Sequence, residues 1–102
     1  MAAESVLHLL RLHYTDSEED AAPFVTAHVE YLRRYHADGT FLVSGQTLPT
    51  SDGGVIVAHG VDRDAVEALS AQDPFVVAGV ARYSITTVTA GRVHPALAGL
   101  LG

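Results

Sequence analysis

Residues 6–12 read Val-Leu-His-Leu-Leu-Arg-Leu, apolar at both parities of an extended chain. Side chains of a strand alternate between the two faces of a sheet, so Val6, Leu10 and Leu12 serve one face while Leu7 and Leu9 serve the other. Two later β-rich runs, Thr40–Leu48 and Val55–His59, share this character through Phe41, Leu42, Val43, Val55, Ile56 and Val57. A sheet built from such strands needs cover on both faces.

The rest of the chain offers little cover. Ser5–Tyr14 reads as a buried first strand that leaves into an acidic, solvated loop (Asp16, Glu18, Glu19, Asp20) carrying solubility rather than chemistry. A helix is predicted from Pro23, suited to a first helical position, to Asp38-Gly39, where glycine takes a left-handed cap. Pro49-Thr50-Ser51-Asp52-Gly53-Gly54 is a hairpin signal that pairs the two flanking strands antiparallel. Asp62 caps a short helix over Arg63–Ala71 with Val66 and Leu69 inward. Asp73-Pro74 resets the backbone before one helical turn over Phe75–Val80, and a last strand runs from Arg82 to Ala90. The apolar tail, Val93–Gly102, is expected to pack against the body.

The order is β-α-β-β-α-β, an α+β class with ferredoxin-like topology and one domain over residues 1–102. Two helices cover one face of a four-stranded sheet. The second apolar face predicts a homodimer.

Composition narrows the chemistry. The 102 residues include no cysteine, and the six cationic side chains are all arginine, which excludes thiolate nucleophiles, zinc–thiolate sites and Schiff-base lysines. A formal charge of −6 has the wrong sign for a nucleic-acid partner. No apolar run approaches the roughly 18 residues of a membrane span, and Val6–Leu10 lacks the length and basic flank of a signal peptide, so a cytoplasmic protein with no membrane partner is expected. There is no nucleotide-binding fingerprint or nucleophile elbow, and no cofactor is expected.

On a helical wheel Val25, Val29, Leu32 and His36 form one stripe, and Phe24, His28, Tyr31 and Tyr35 an adjacent aromatic one. His28 therefore lies on the inward arc among rings, either as a core histidine bonded to a carbonyl or as a proton-transfer group. His36, in the last turn, complements the helix dipole and is placed to bond free carbonyls. The two are about 12 Å apart along the axis, and His8 and His13 have opposite strand parity, so no metal site is legible. Asp73 is an N-cap whose second oxygen can meet an imidazole. Ser44-Gly45-Gln46 breaks an apolar run and reads as a pocket rim or a bulge.

The chain resembles the YCII-related family of dimeric α+β barrel proteins over nearly its whole length. The resemblance is carried by Ala27-His28, His36-Ala37-Asp38-Gly39, Ser44-Gly45, Asp73-Pro74-Phe75 and Ala78-Gly79-Val80. It implies a subunit that dimerises through its sheet, a pocket between sheet and helices, and an acid–base dyad of His28 and Asp73, with Ser44, Gly45, Tyr31 and Phe75 around the substrate. It departs from the family pattern at Gln46, where proline is usual, and at Val25, where arginine is frequent; the first bears on the pocket rim and the second on an anion anchor.

The function expected from residues and resemblance together is a cofactor-independent lyase or isomerase, dehydrochlorinase-like, performing acid–base chemistry on a small oxygenated cyclic metabolite. The alternative is a non-catalytic small-molecule-binding or accessory dimeric module.

Overall fold

The computed structural model describes residues 5–101. Its elements are β1 (Val6–Tyr14), a 3-10 helix (Glu18–Phe24), α1 (Val25–Ala37), β2 (Phe41–Gln46), a 3-10 turn (Thr50–Asp52), β3 (Gly54–His59), α2 (Arg63–Ser70), α3 (Pro74–Val77), β4 (Ala81–Thr89) and α4 (Pro95–Leu101). The four strands form one antiparallel sheet in the order β2-β3-β1-β4. This is the ferredoxin-like α+β arrangement, in which the two apolar strands β1 and β3 take the centre.

Parity decides which side chains are buried. Leu10 and Leu12 of β1, Ile56 and Ala58 of β3 and Ala81 of β4 face the helices and are buried. They pack with Tyr31 and Tyr35 of α1, Phe41 of β2, Val66 and Leu69 of α2 and Phe75 of α3 in two adjoining core clusters. Truncating a fully buried side chain such as Leu10 or Phe41 to alanine costs about 2–5 kcal/mol. The opposite parity leaves Leu9, Val43, Val55 and Val88 exposed on the other face.

Local signals hold at most boundaries. Asp62 Oδ1 accepts from Ala65 N–H at 2.8 Å, and Gly39 ends α1 with a φ of +87°. The hairpin contains Gly53 at φ +116°, where an added Cβ would lie 1.8 Å from the carbonyl oxygen of Leu12, so only glycine lets this turn lie against β1.

Three expectations are corrected. The α-helix begins at Val25 rather than Pro23, because Ser17–Asp20 starts a 3-10 helix instead: the Asp20 carboxylate accepts from Ser17 N–H and Asp20 N–H donates to Ser17 O. Within the acidic run Asp16, Glu19 and Asp20 stay exposed, as expected of a solvated stretch, while Glu18 is partly covered and the following Ala21 is buried. His36 bonds not the helix carbonyls but Ser44 Oγ, 2.8 Å from its Nε2, because β2 runs alongside the end of α1. The tail forms α4, which packs through Leu101 and a hydrogen bond from Ser5 Oγ to Leu101 O, while Val93, Leu97 and Leu100 stay exposed.

Candidate active site

Between α1, α3 and the sheet lies a cavity of about 520 Å³. Its walls are mostly apolar, formed by Leu12, Tyr14, Ala21, Val25, Val29 and Leu32, and its polar groups are few. Such a space suits a small organic molecule.

His28 lines it from α1. The ring Nδ1 is 2.9 Å from Asp73 Oδ1, and Nε2 makes no hydrogen bond among the described residues, which leaves it for the cavity. With Asp73 as acceptor, Nδ1 carries the proton and Nε2 is the basic nitrogen. Phe75 stacks on the imidazole, centroids 4.0 Å apart and planes within 5°, fixing its orientation.

Asp73 is fully buried and is an acceptor on both oxygens. Oδ1 takes the Phe75 N–H at 2.9 Å as well as His28, so the residue that caps α3 is the one that orients the histidine. Oδ2 takes the Tyr83 hydroxyl at 2.5 Å. Burial, and then the charge of Asp73 and the hydrogen bond to it, push the Tyr83 phenol far up, so it remains a neutral donor.

Tyr83 is the residue that sequence reasoning passed over. It lies on the last strand, and nothing in the local pattern there points it at Asp73. Glu18 and Glu19 were also missed; the 3-10 helix sets both along the cavity lining, Glu18 partly covered and Glu19 exposed.

The expected site residues divide. His28, Ser44, Gly45 and Phe75 line the cavity, with Gln46 beside them on the same rim. Asp73 stands behind His28. Tyr31 does not line the cavity: it is buried in the core and donates its hydroxyl to Leu69 O at 2.9 Å, because the aromatic stripe turns beneath α2 rather than toward the opening. Burial, then the Asp73 charge, pushes its phenol up as well. Val25, expected on an inner stripe, is 46% exposed on the cavity wall. Among the described residues no three of His, Asp or Glu converge as a metal site.

A four-stranded sheet with α1, α2 and α3 on one face, and a histidine–aspartate pair at a cavity between α1, α3 and the sheet, defines a small ferredoxin-like protein with a candidate acid–base site. The YCII-related domain model matches residues 7–89, and the chain belongs to that family. Among solved structures it is similar to the 5-chloro-2-hydroxyhydroquinone dehydrochlorinase of Burkholderia phenoliruptrix, determined in complex with 2,5-dihydroxybenzoquinone. The TM-score is 0.64 at 20% identity, over 79% of this chain and 90% of that one, a likeness of fold. No curated protein matches significantly. No helix among the described residues is long and apolar enough to cross a membrane.

Proposed function

We propose that this chain is a cofactor-independent, dehydrochlorinase-like lyase or isomerase acting on a small oxygenated cyclic metabolite, with His28 and Asp73 as its acid–base dyad. The observation that carries the reading is the 2.9 Å His28–Asp73 contact at the wall of an apolar cavity. Nε2 of His28 removes a proton from a carbon beside a carbonyl or phenol. In an elimination the C–H electron pair forms the new double bond and chloride leaves with the C–Cl pair; in an isomerisation the same proton returns to another carbon. Asp73 holds the ring and balances the imidazolium that forms, while Ser44 and the Gly45 backbone rim the substrate and Phe75 packs behind the imidazole. The likeness to a dehydrochlorinase bound to a hydroxylated quinone supports the reaction class.

The functional unit in this reading is a homodimer. The sheet face away from the helices carries Leu9, Val43, Val55 and Val88, and on it Arg11 Nε is buried without a hydrogen-bond partner among the described residues. A second copy laid on this face covers the apolar side chains and can supply that missing acceptor.

The test is turnover of chlorinated and unchlorinated hydroxyhydroquinones by wild type and His28→Ala. Loss of turnover in a folded variant supports the mechanism; equal turnover sinks it. Binding without turnover by wild type would favour the non-catalytic binding module.

A further inference from the structure

Three ionisable groups line the cavity besides tyrosine: Glu18, Glu19 and His28. Glu18 is held in place, its Oε1 accepting from Thr50 Oγ1 at 3.1 Å across to the β2–β3 hairpin. Asp73 adds a buried negative charge directly behind the histidine. Tyr14, on the same wall, has its phenol pushed up by burial, then by the charges of Glu18 and Asp73, so both carboxylates are felt inside.

None of the six arginines lines this space. Arg11 and Arg82 project from the sheet face opposite the helices, in register with Ser84 and His13 of neighbouring strands. Arg33 pairs with Glu30 on the outer side of α1, and Arg34 lies 5.2 Å over the Tyr35 ring. Arg63 is engaged by Glu67 and Thr87 at the far end of the sheet, and Arg92 follows β4 in the exposed segment before α4. With no lysine in the chain, no arginine or lysine side chain lines the cavity among the described residues to neutralise an anionic ligand.

We infer that the cavity selects uncharged oxygenated rings and rejects their carboxylate-bearing analogues, with Glu18 and Glu19 as the specificity-determining residues. An anion entering this space meets the Glu18 carboxylate held by Thr50, the exposed Glu19 carboxylate at the rim and a third carboxylate behind the base, whereas a neutral phenol or hydroxyquinone meets apolar walls and a few hydrogen-bonding groups. A substrate with a ring carboxyl group would have to lose it in a preceding decarboxylation, a class of reaction that delivers uncharged hydroxylated rings. The inference deepens the proposed function and rests on it for the kind of molecule bound.

The experiment compares resorcinol with 3,5-dihydroxybenzoate, which differ by one carboxylate, in chemical-shift titrations of the intact protein. Wild type is expected to bind resorcinol about tenfold or more tightly than the benzoate in dilute buffer, with shifts at residues around His28. Raising salt from about 20 mM to about 500 mM should narrow the gap by strengthening the benzoate alone, which a steric rejection would not do. Glu18→Gln with Glu19→Gln should narrow the resorcinol-to-benzoate ratio by strengthening the benzoate, and Val25→Arg, at an already half-exposed wall position, should narrow it further. Equal or tighter benzoate binding by wild type, a ratio unmoved by salt and by the glutamines, or no perturbation around His28 by either probe would overturn the inference. Selective resorcinol binding together with turnover that ignores His28→Ala would leave it standing and bring down the catalytic reading instead.

Discussion

Asp73 Oδ1 lies 2.9 Å from His28 Nδ1 across 45 residues of chain, and the same oxygen caps α3 through the Phe75 N–H. One carboxylate therefore sets both the start of a helix and the orientation of the histidine at the cavity wall. Removing it has two separable effects, on stability and on chemistry.

His28→Ala should lower turnover by about 10²-fold or more with the fold intact, since the side chain is only partly buried and its loss removes the base itself. Asp73→Asn keeps a side-chain acceptor for the cap and loses charge and orientation, so its loss of kcat should be smaller. Asp73→Ala should in addition cost about 1–3 kcal/mol, because two N–H donors and the Tyr83 hydroxyl lose their acceptor. Steady-state kinetics paired with urea denaturation separate the two effects.

Tyr83→Phe takes the donor from Asp73 Oδ2 without touching His28. The carboxylate then keeps one fewer of the hydrogen bonds that fix it behind the imidazole, so kcat should fall several-fold while KM changes little. Steady-state kinetics check this, and an unchanged kcat with only a lower Tm would reduce Tyr83 to a structural role.

The open sheet face predicts assembly. Val43 is 62% exposed and Leu9, Val55 and Val88 each 37–39%, a contiguous apolar patch that soluble monomers rarely tolerate. Light scattering at micromolar concentration should show a dimer, and Leu9→Asp, at a central strand of that face, should shift it to monomer. A stable wild-type monomer would end the dimer reading.

His13 on the same face gives a pH effect of definite sign. Burial, then the charges of Arg82 and Arg11, hold its pKa below the ordinary 6.5. Between the folded and unfolded values the unfolded chain binds more protons, so the stability this residue protects is complete above 6.5 and is lost as pH falls through the window beneath it. Urea titrations at about pH 7.5 and about pH 5.5 should show wild type losing more stability than His13→Gln.

Element order, the antiparallel hairpin, the Asp62 and Asp73 caps and the two-sided strands were all legible in the sequence, because each depends on near neighbours: proline and glycine restrict backbone angles, short polar side chains cap helices, and side-chain parity along a strand alternates whatever the rest of the chain does. His28 and Asp73 were each legible as candidates for the same reason, one by its place on a helical wheel and one by the proline that follows it. Their contact was not a local matter. It depends on α1 crossing the sheet at the height where α3 begins, and that height is set by which apolar side chains of β1 and β3 interlock with Tyr31, Tyr35 and Phe75. Tertiary packing likewise spent Tyr31 on the core, brought Tyr83 from β4 beneath Asp73, and set Glu18, with the exposed Glu19 beside it, along the cavity lining. Local pattern reports which face of its own element a side chain occupies; which residue of another element it meets there is decided by the packing of the whole core, where the burial of many side chains outweighs the preference of any one segment.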